Sequence, residues 1–148
     1  MTKFTSNLYD EKTFYAAFSK DILAAKSEII IESPFITLNR AKEYIFSFKY
    51  LINNGVSIYV ITRDPLEHSI EMQDQSEQII QILERIGVQV MLCEGSDHRK
   101  LAIIDRTILY EGSLNILSQG ISREIMRRID DSYITMEMFN FLKLAKYI

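Results

Sequence analysis

His98, Lys100, Asp105, Gly112, Ser113 and Asn115 fall in the order His-x-Lys, four residues, Asp, six residues, Gly-Ser-x-Asn. The string gathers an imidazole, an ammonium, a hydroxyl and an amide, a set that suits a tetrahedral phosphate. The imidazole can attack phosphorus, the ammonium can hold a non-bridging oxygen, and the hydroxyl and amide can hold the others. Alternate residues of a strand share a face, so His98 and Lys100 point the same way, one pleat apart. Leu101, Ile103 and Ile104, then Ile108 and Leu109, supply the apolar positions of two short strands that carry these groups. Phosphodiesters repel nucleophiles with their own charge, and a covalent phospho-enzyme divides that difficult step into two. An imidazole with a reference pKa near 6.5 is largely neutral, and so nucleophilic, at neutral pH.

The segment Asp97–Asn115, DHRKLAIIDRTILYEGSLN, resembles the HKD signature of the phospholipase D superfamily, HxKx4Dx6GSxN, at every fixed position. Six residue types fixed over eighteen positions are far more specific than a lone glycine motif. The likeness is strongest over Asp97–Glu124 and extends weakly to Ile29–Ile36 and Val56–Pro65. The resemblance implies a phosphohistidine mechanism with His98 as nucleophile, in which Lys100, Ser113 and Asn115 bind the phosphoryl oxygens. It also implies that Glu124, nine residues after Asn115, orients the imidazole. Asp105 enters the catalytic set as a signature residue, with a mainly structural part holding local backbone rather than that of a general acid. A second, protonated histidine must serve the leaving oxygen and then activate water. The chain has one motif and only one other histidine, His68, in an unrelated context. Single-motif members of the family resemble homodimers whose paired motifs build one site, so a homodimer sharing two copies of His98 is expected.

Other residues carry less. Arg63 and Asp64 follow a strand, where α/β sites open, so Arg63 is a candidate for substrate contact. His68 is expected to be solvated, and Cys93 a small packed residue rather than a nucleophile. Arg123, Arg127 and Arg128 could follow a nucleic-acid backbone, but strand alternation divides them between two faces. The helical aromatics Phe14, Phe18, Tyr44, Phe48, Phe139 and Phe141 read as core. No His/Cys/Asp cluster has metal-ligand spacing, and the motif chemistry calls for no cofactor and no metal, with Lys100 as the cation.

These groups are positioned by a chain of 148 residues, expected to form one phospholipase D-like domain over 1–148 that buries about 68–70% of its unfolded surface. Its 47% apolar and 25% charged content is ordinary for a globular protein. The net charge of −3 excludes a uniformly basic, nucleic-acid-coating surface, so any phosphate-binding surface is local. The single cysteine excludes an intramolecular disulfide framework and suits a reducing interior. No apolar leader or spanning stretch is seen, so a cytoplasmic protein without membrane contact is expected.

Apolar spacing predicts a helix near 10–26 capped by Asp10, a strand at Ile29–Ile31, and a helix from Asn39 to Asn53 ended by Gly55. A strand follows at Val56–Ile61, a helix at Gln75–Arg85 ended by Gly87, and a strand at Val88–Leu92. After the motif hairpin, Ile116–Ser122 reads as loop or short helix, Glu124–Ile129 as a strand and Ser132–Tyr147 as an amphipathic helix. This alternation gives an α/β class: a mostly parallel mixed sheet flanked by helices on both faces, with an antiparallel motif hairpin.

The expected function is a metal-independent phosphodiesterase, a nuclease-type hydrolase acting on nucleic acid, most simply DNA. It is similar to small bacterial nucleases of the superfamily and to phospholipase D-like domains of helicases or restriction enzymes, either of which could be a partner. A phospholipid-cleaving enzyme is the alternative, although no convincing membrane-facing segment is seen. A third reading is a catalytically weak DNA-positioning or dimerisation module.

Overall fold

Three consecutive isoleucines suit a strand covered on both faces, and Ile29–Ile31 lie buried in such a strand. The computed structural model of the chain describes residues 4–95, 97–118 and 120–148. Its elements run β1 (Thr5–Asp10), α1 (Phe14–Leu23), β2 (Glu28–Glu32), α2 (Leu38–Asn53), β3 (Ser57–Arg63), α3 (Ile70–Arg85) and β4 (Gln89–Cys93). The hairpin β5 (Leu101–Ile104) and β6 (Ile108–Gly112) follows, then β7 (Ile125–Asp130) and α4 (Ser132–Phe141). Short 3-10 turns occupy Pro65–Glu67 and Leu144–Tyr147.

All seven strands form one sheet in the order β1-β7-β6-β5-β2-β3-β4. The larger core packs α1, α2 and α3 on one face, through Phe14, Phe18, Ile22, Tyr44, Phe48, Ile79 and Leu83 against Ile29, Ile31, Ile58 and Val60. The opposite face packs Ile30, Tyr59, Ile61, Leu101 and Ile103 against Phe139 of α4 and Leu144. Strand alternation thus sends neighbouring residues of β2 and β5 into different cores. No helix among the described residues is long and apolar enough to cross a membrane.

The α/β class and the helices on both faces are as expected, but the balance of strand directions is not. Only β2–β3 and β3–β4 are parallel; the other four pairs, β1–β7, β7–β6, β6–β5 and β5–β2, are antiparallel. Part of the difference is β1, which the sequence does not announce. Its side chains are nearly all exposed, and it forms by pairing at the sheet edge from Thr5 opposite Asp130 to Asp10 opposite Ile125. Helix α1 consequently begins at Phe14, while Asp10 accepts from the N–H groups of Lys12 and Thr13 in the turn before it. Helix α3 begins five residues earlier than its apolar spacing suggests, at Ile70. The last helix stops at Phe141, and Lys143, at φ 54, turns the chain into the final 3-10 turn.

The topology gathers chemistry at one edge. The parallel strands β2, β3 and β4 end there in Glu32, Arg63 and Cys93, as site residues do in α/β sheets. Antiparallel β5 and β7 begin there, and β6 ends there in Gly112.

Candidate active site

His98 and Lys100 lie just before β5, Ser113 and Asn115 just after β6, and Glu124 just before β7, so three strands of one meander present them at the same edge. Backbone pairing continues past the strand ends and fixes that closeness. The Gly112 N–H donates to the Lys100 carbonyl at 3.3 Å, and the Ser113 N–H donates to the Ile125 carbonyl at 2.9 Å. Ser113 Oγ accepts from the Ile125 N–H at 3.0 Å, which pins β7 beside the motif turn. Glycine is required at 112 by close approach: a Cβ there would lie 2.1 Å from the Ile125 carbonyl oxygen. Downstream, Leu114, Ile116 and Leu117 are buried anchors, and the Leu117 N–H donates to Ser33 Oγ at 3.2 Å. The Gly-Ser-x-Asn turn is therefore held from both sides.

His98 is exposed and lines an open cleft with Cys93, Glu94, Asp97, Arg99 and Tyr147. The Lys100 ammonium donates to the His98 carbonyl at 2.7 Å, leaving two of its three donors for an anion. Asn115 and Glu124 line a different depression, a cavity of about 210 Å³ shared with Glu11, Tyr15 and Arg40. Asn115 Oδ1 is buried there without a hydrogen-bond partner among the described residues. The carboxylate of Glu124 makes no hydrogen bond to His98 among those residues, so one chain brings the motif to a single edge but not into a single cavity.

Asp105 sits at the far end of β5, five residues or about 17 Å along the strand from Lys100. There it accepts from the N–H groups of Lys26, Ser27 and Glu28 at 2.8–2.9 Å and from Ser27 Oγ at 2.8 Å. Burial alone pushes its carboxyl up; the bonds from Glu28, Lys26 and Ser27 outweigh that and hold it below the usual carboxylate range. Asp105 and Arg106 both have positive φ, at 52° and 57°, as a tight hairpin turn demands. This geometry ties the turn to the start of β2 and places Asp105 outside the cluster that can touch substrate.

Arg63 reaches the same edge as the motif, yet its Nε lies 3.5 Å from Glu67 and its guanidinium over the Phe35 ring at 5.5 Å. His68 packs against Phe35, 5.1 Å between ring centroids, rather than standing free in solvent. Cys93 lies 3.7 Å from the Tyr147 hydroxyl, and burial pushes its thiol up, away from an activated nucleophile. Alternation separates Arg127 from Arg128 as foreseen. Arg127 is exposed and bonds Ser6, whereas Arg128 grips Asp21 through two bonds of 2.6 and 3.1 Å.

Sequence reasoning missed two parts of this edge. Arg40 and Tyr15 carry no local signal of a cavity; the Arg40 guanidinium lies 3.6 Å over the Tyr15 ring only because α1 and α2 pack together. Glu32 did carry one, a charged residue closing a buried isoleucine run. Its side chain is fully buried, and its Oε1 accepts from Arg99 Nε at 2.8 Å. No group of three or more His, Cys, Asp or Glu side chains is placed to hold a metal ion among the described residues.

Comparison with known proteins shows the family and the fold. The family model described as "Cardiolipin synthase, PLD-like domain" matches residues 18–143. Comparison with curated proteins finds no match. Among solved structures, the chain is similar to the phospholipase D family member Nuc from Salmonella typhimurium, with a TM-score of 0.76 at 13% identity, covering 95% of this chain and 93% of that one. NucT from Helicobacter pylori gives a TM-score of 0.73 at 17% identity, covering 95% and 94%. Phosphatidylserine synthase from Haemophilus influenzae gives 0.66 at 13% identity, over 91% of this chain and 37% of that one. At these identities the structural likenesses establish the fold.

Proposed function

The chain belongs to the phospholipase D-like domain family, and from that premise we propose that it is a metal-independent phosphodiesterase that cleaves nucleic acid, most simply DNA, through a phosphohistidine. The observation that carries this reading is the polar set of the motif at one sheet edge, with His98, Lys100, Ser113, Asn115 and Glu124 on three adjacent strand ends and Asp105 alone at the far end of β5. A ring nitrogen of His98 attacks phosphorus as the P–O bond to the leaving group breaks. The His98 imidazole of a second copy gives its proton to the departing oxygen. That second imidazole then takes a proton from water, whose oxygen attacks phosphorus, breaks the P–N bond and frees His98. Lys100 and Asn115 hold the non-bridging oxygens, Ser113 assists through its hydroxyl, and Arg63 is the next cation along the edge. Glu124 orients the imidazole; its separation from His98 in one chain suits a site completed by a homodimer. Asp105 contributes through the backbone it holds.

The likeness to Nuc and NucT over nearly the whole of each chain favours a nuclease of similar size. The family description and the likeness to a phosphatidylserine synthase favour phospholipid as the second reading. The single cysteine suits the reducing cytoplasm, where we place the activity, with a helicase or restriction component as the source of substrate. The test is incubation of wild type and His98→Asn with plasmid, single-stranded DNA, RNA, phospholipid vesicles and bis(p-nitrophenyl) phosphate in excess EDTA. Wild type is expected to cut nucleic acid and the generic diester, and folded His98→Asn to cut neither. Cleavage of vesicles alone selects the lipid reading. Activity abolished by EDTA and restored by Mg²⁺ rejects the metal-independent mechanism.

A further inference from the structure

The signature does not include Glu32, yet this residue is buried against Arg99 and Asp97, the two chain neighbours of the histidine. It ends β2 in register with Leu101, and its side chain has no exposed surface. One oxygen, Oε1, accepts from Arg99 Nε, while Oε2 is buried with no partner among the described residues. Asp97 Oδ2 is buried in the same condition. The other Asp97 oxygen accepts from the Arg99 N–H at 3.1 Å and lies 3.7 Å from Arg99 Nε. Two carboxylates on one guanidinium would leave a surplus negative charge away from water, together with two unmet acceptors. A single proton between the carboxyl groups removes both faults: Glu32 donates to Asp97, and the trio with Arg99 becomes neutral.

We propose that Glu32 is a positioning residue for His98, its neutral carboxyl tying together Asp97 and Arg99, which flank the histidine in the chain, and its ionisation releasing that clamp. The inference rests on the phosphodiesterase reading only for its effect on turnover. Asp97 and Arg99 flank His98 in the chain and line one cleft with it, so the way they are held fixes the backbone that carries the imidazole. Burial, then the bond with Asp97, push the Glu32 carboxyl up to about 7 against the pull of Arg99. The other titratable groups facing it are Cys93 of β4 and Tyr147 of the terminal turn. Burial raises both, Tyr147 to about 12, so they remain neutral while Glu32 titrates.

Glu32→Gln copies the neutral form: its carbonyl can accept from Arg99 and its NH₂ can donate to Asp97. With bis(p-nitrophenyl) phosphate, both proteins are expected to share one kcat at pH 6. At pH 8, where about one wild-type molecule in ten keeps the proton, Glu32→Gln should be roughly tenfold faster in kcat with KM unchanged. Superposable pH profiles overturn the proposal. Should Glu32→Gln fail to fold, Asp97→Asn balances the same charge from the other side and must flatten the alkaline limb alike; an unchanged limb counts against the clamp. The second readout needs no turnover. In a His98→Asn background, the Arg99 and Lys100 amide resonances are expected to move with a midpoint near 7, and Glu32→Gln should abolish that movement. Static resonances overturn the clamp, whereas moving resonances with no diester cleaved by wild type reject the phosphodiesterase reading alone.

Discussion

Glu32 gives up its proton at about 7 in the folded chain, against an ordinary value of 4.5, because its native site is closed to water and shared with Asp97. Between those two values the native state holds a proton that the unfolded state has lost, so stability falls as pH rises through this window. The whole gap corresponds to on the order of 3 kcal/mol, fully expressed above pH 7 and absent below 4.5. Glu32→Gln should therefore match wild type near pH 4 and exceed it by roughly 2–3 kcal/mol at pH 8, in urea midpoints taken at both. A difference that does not change with pH would show that the carboxyl is not protonated in the native state. Asp105 has the opposite sign: its carboxyl is held low, and its stabilising bonds are lost as acid protonates it. Asp105→Ala, which strands the N–H groups of Lys26, Ser27 and Glu28, should cost about 2–4 kcal/mol at pH 7. Activity per folded molecule should be unchanged at low temperature, since the residue lies at the far end of β5. A large fall in kcat with native stability would return Asp105 to the chemistry. Residue types and local spacing marked His98, Lys100, Ser113 and Asn115 as candidates, and the one hairpin that holds them brings them to one sheet edge. The pairing of Glu32 with Asp97 and Arg99 joins positions more than sixty residues apart, and nothing in the sequence states that contact.

At the scale of elements, the motif turn works because β6 and β7 approach more closely than a side chain permits. A Cβ at 112 would meet the Ile125 carbonyl and the Met126 backbone and sulfur, at 2.1, 2.9 and 2.8 Å. Gly112→Ala must push β7 outward, breaking the Ser113–Ile125 bonds that hold Glu124 beside Asn115. The expected cost is about 2–4 kcal/mol, read by urea unfolding, with faster hydrogen exchange at the Ser113 and Ile125 amides. Protection equal to wild type at those two amides would show that the strands accommodate the methyl group without parting. Elements that bury a regular apolar stripe were legible: α2 through Ala41, Tyr44 and Phe48, and β2 through its isoleucines. Strand β1 was not, because Thr5–Asp10 is stabilised by hydrogen bonds to β7 and buries almost nothing. The early start of α3 was hidden for a similar reason. Its first turn, from Ile70, contains no buried residue, so helical spacing becomes visible only where Ser76 and Ile79 turn inward.

At the scale of the whole molecule, the two sheet faces are unequally covered. Three helices close one face, while α4 and the short terminal turn cover the other and leave Leu8, Ile125 and Phe141 exposed, at 64%, 64% and 80%. These residues border Lys100 in one groove, so a two-fold axis beside the motif would cover apolar surface while completing the site. One histidine cannot be bonded to phosphorus and protonate the leaving oxygen in the same step, and His68 is committed to packing on Phe35. An isologous dimer would supply the second group from the same gene, because its interface places each residue on both sides of the axis. Unfolding and reassembling wild type with an equal amount of His98→Ala tests this directly. Random pairing leaves about one quarter of dimers wholly wild type, so activity per wild-type chain should fall to roughly half. If wild-type chains keep full activity in mixed dimers, each subunit holds a complete site, and the acid for the leaving oxygen has to be sought among the neighbours of His98 in its own chain.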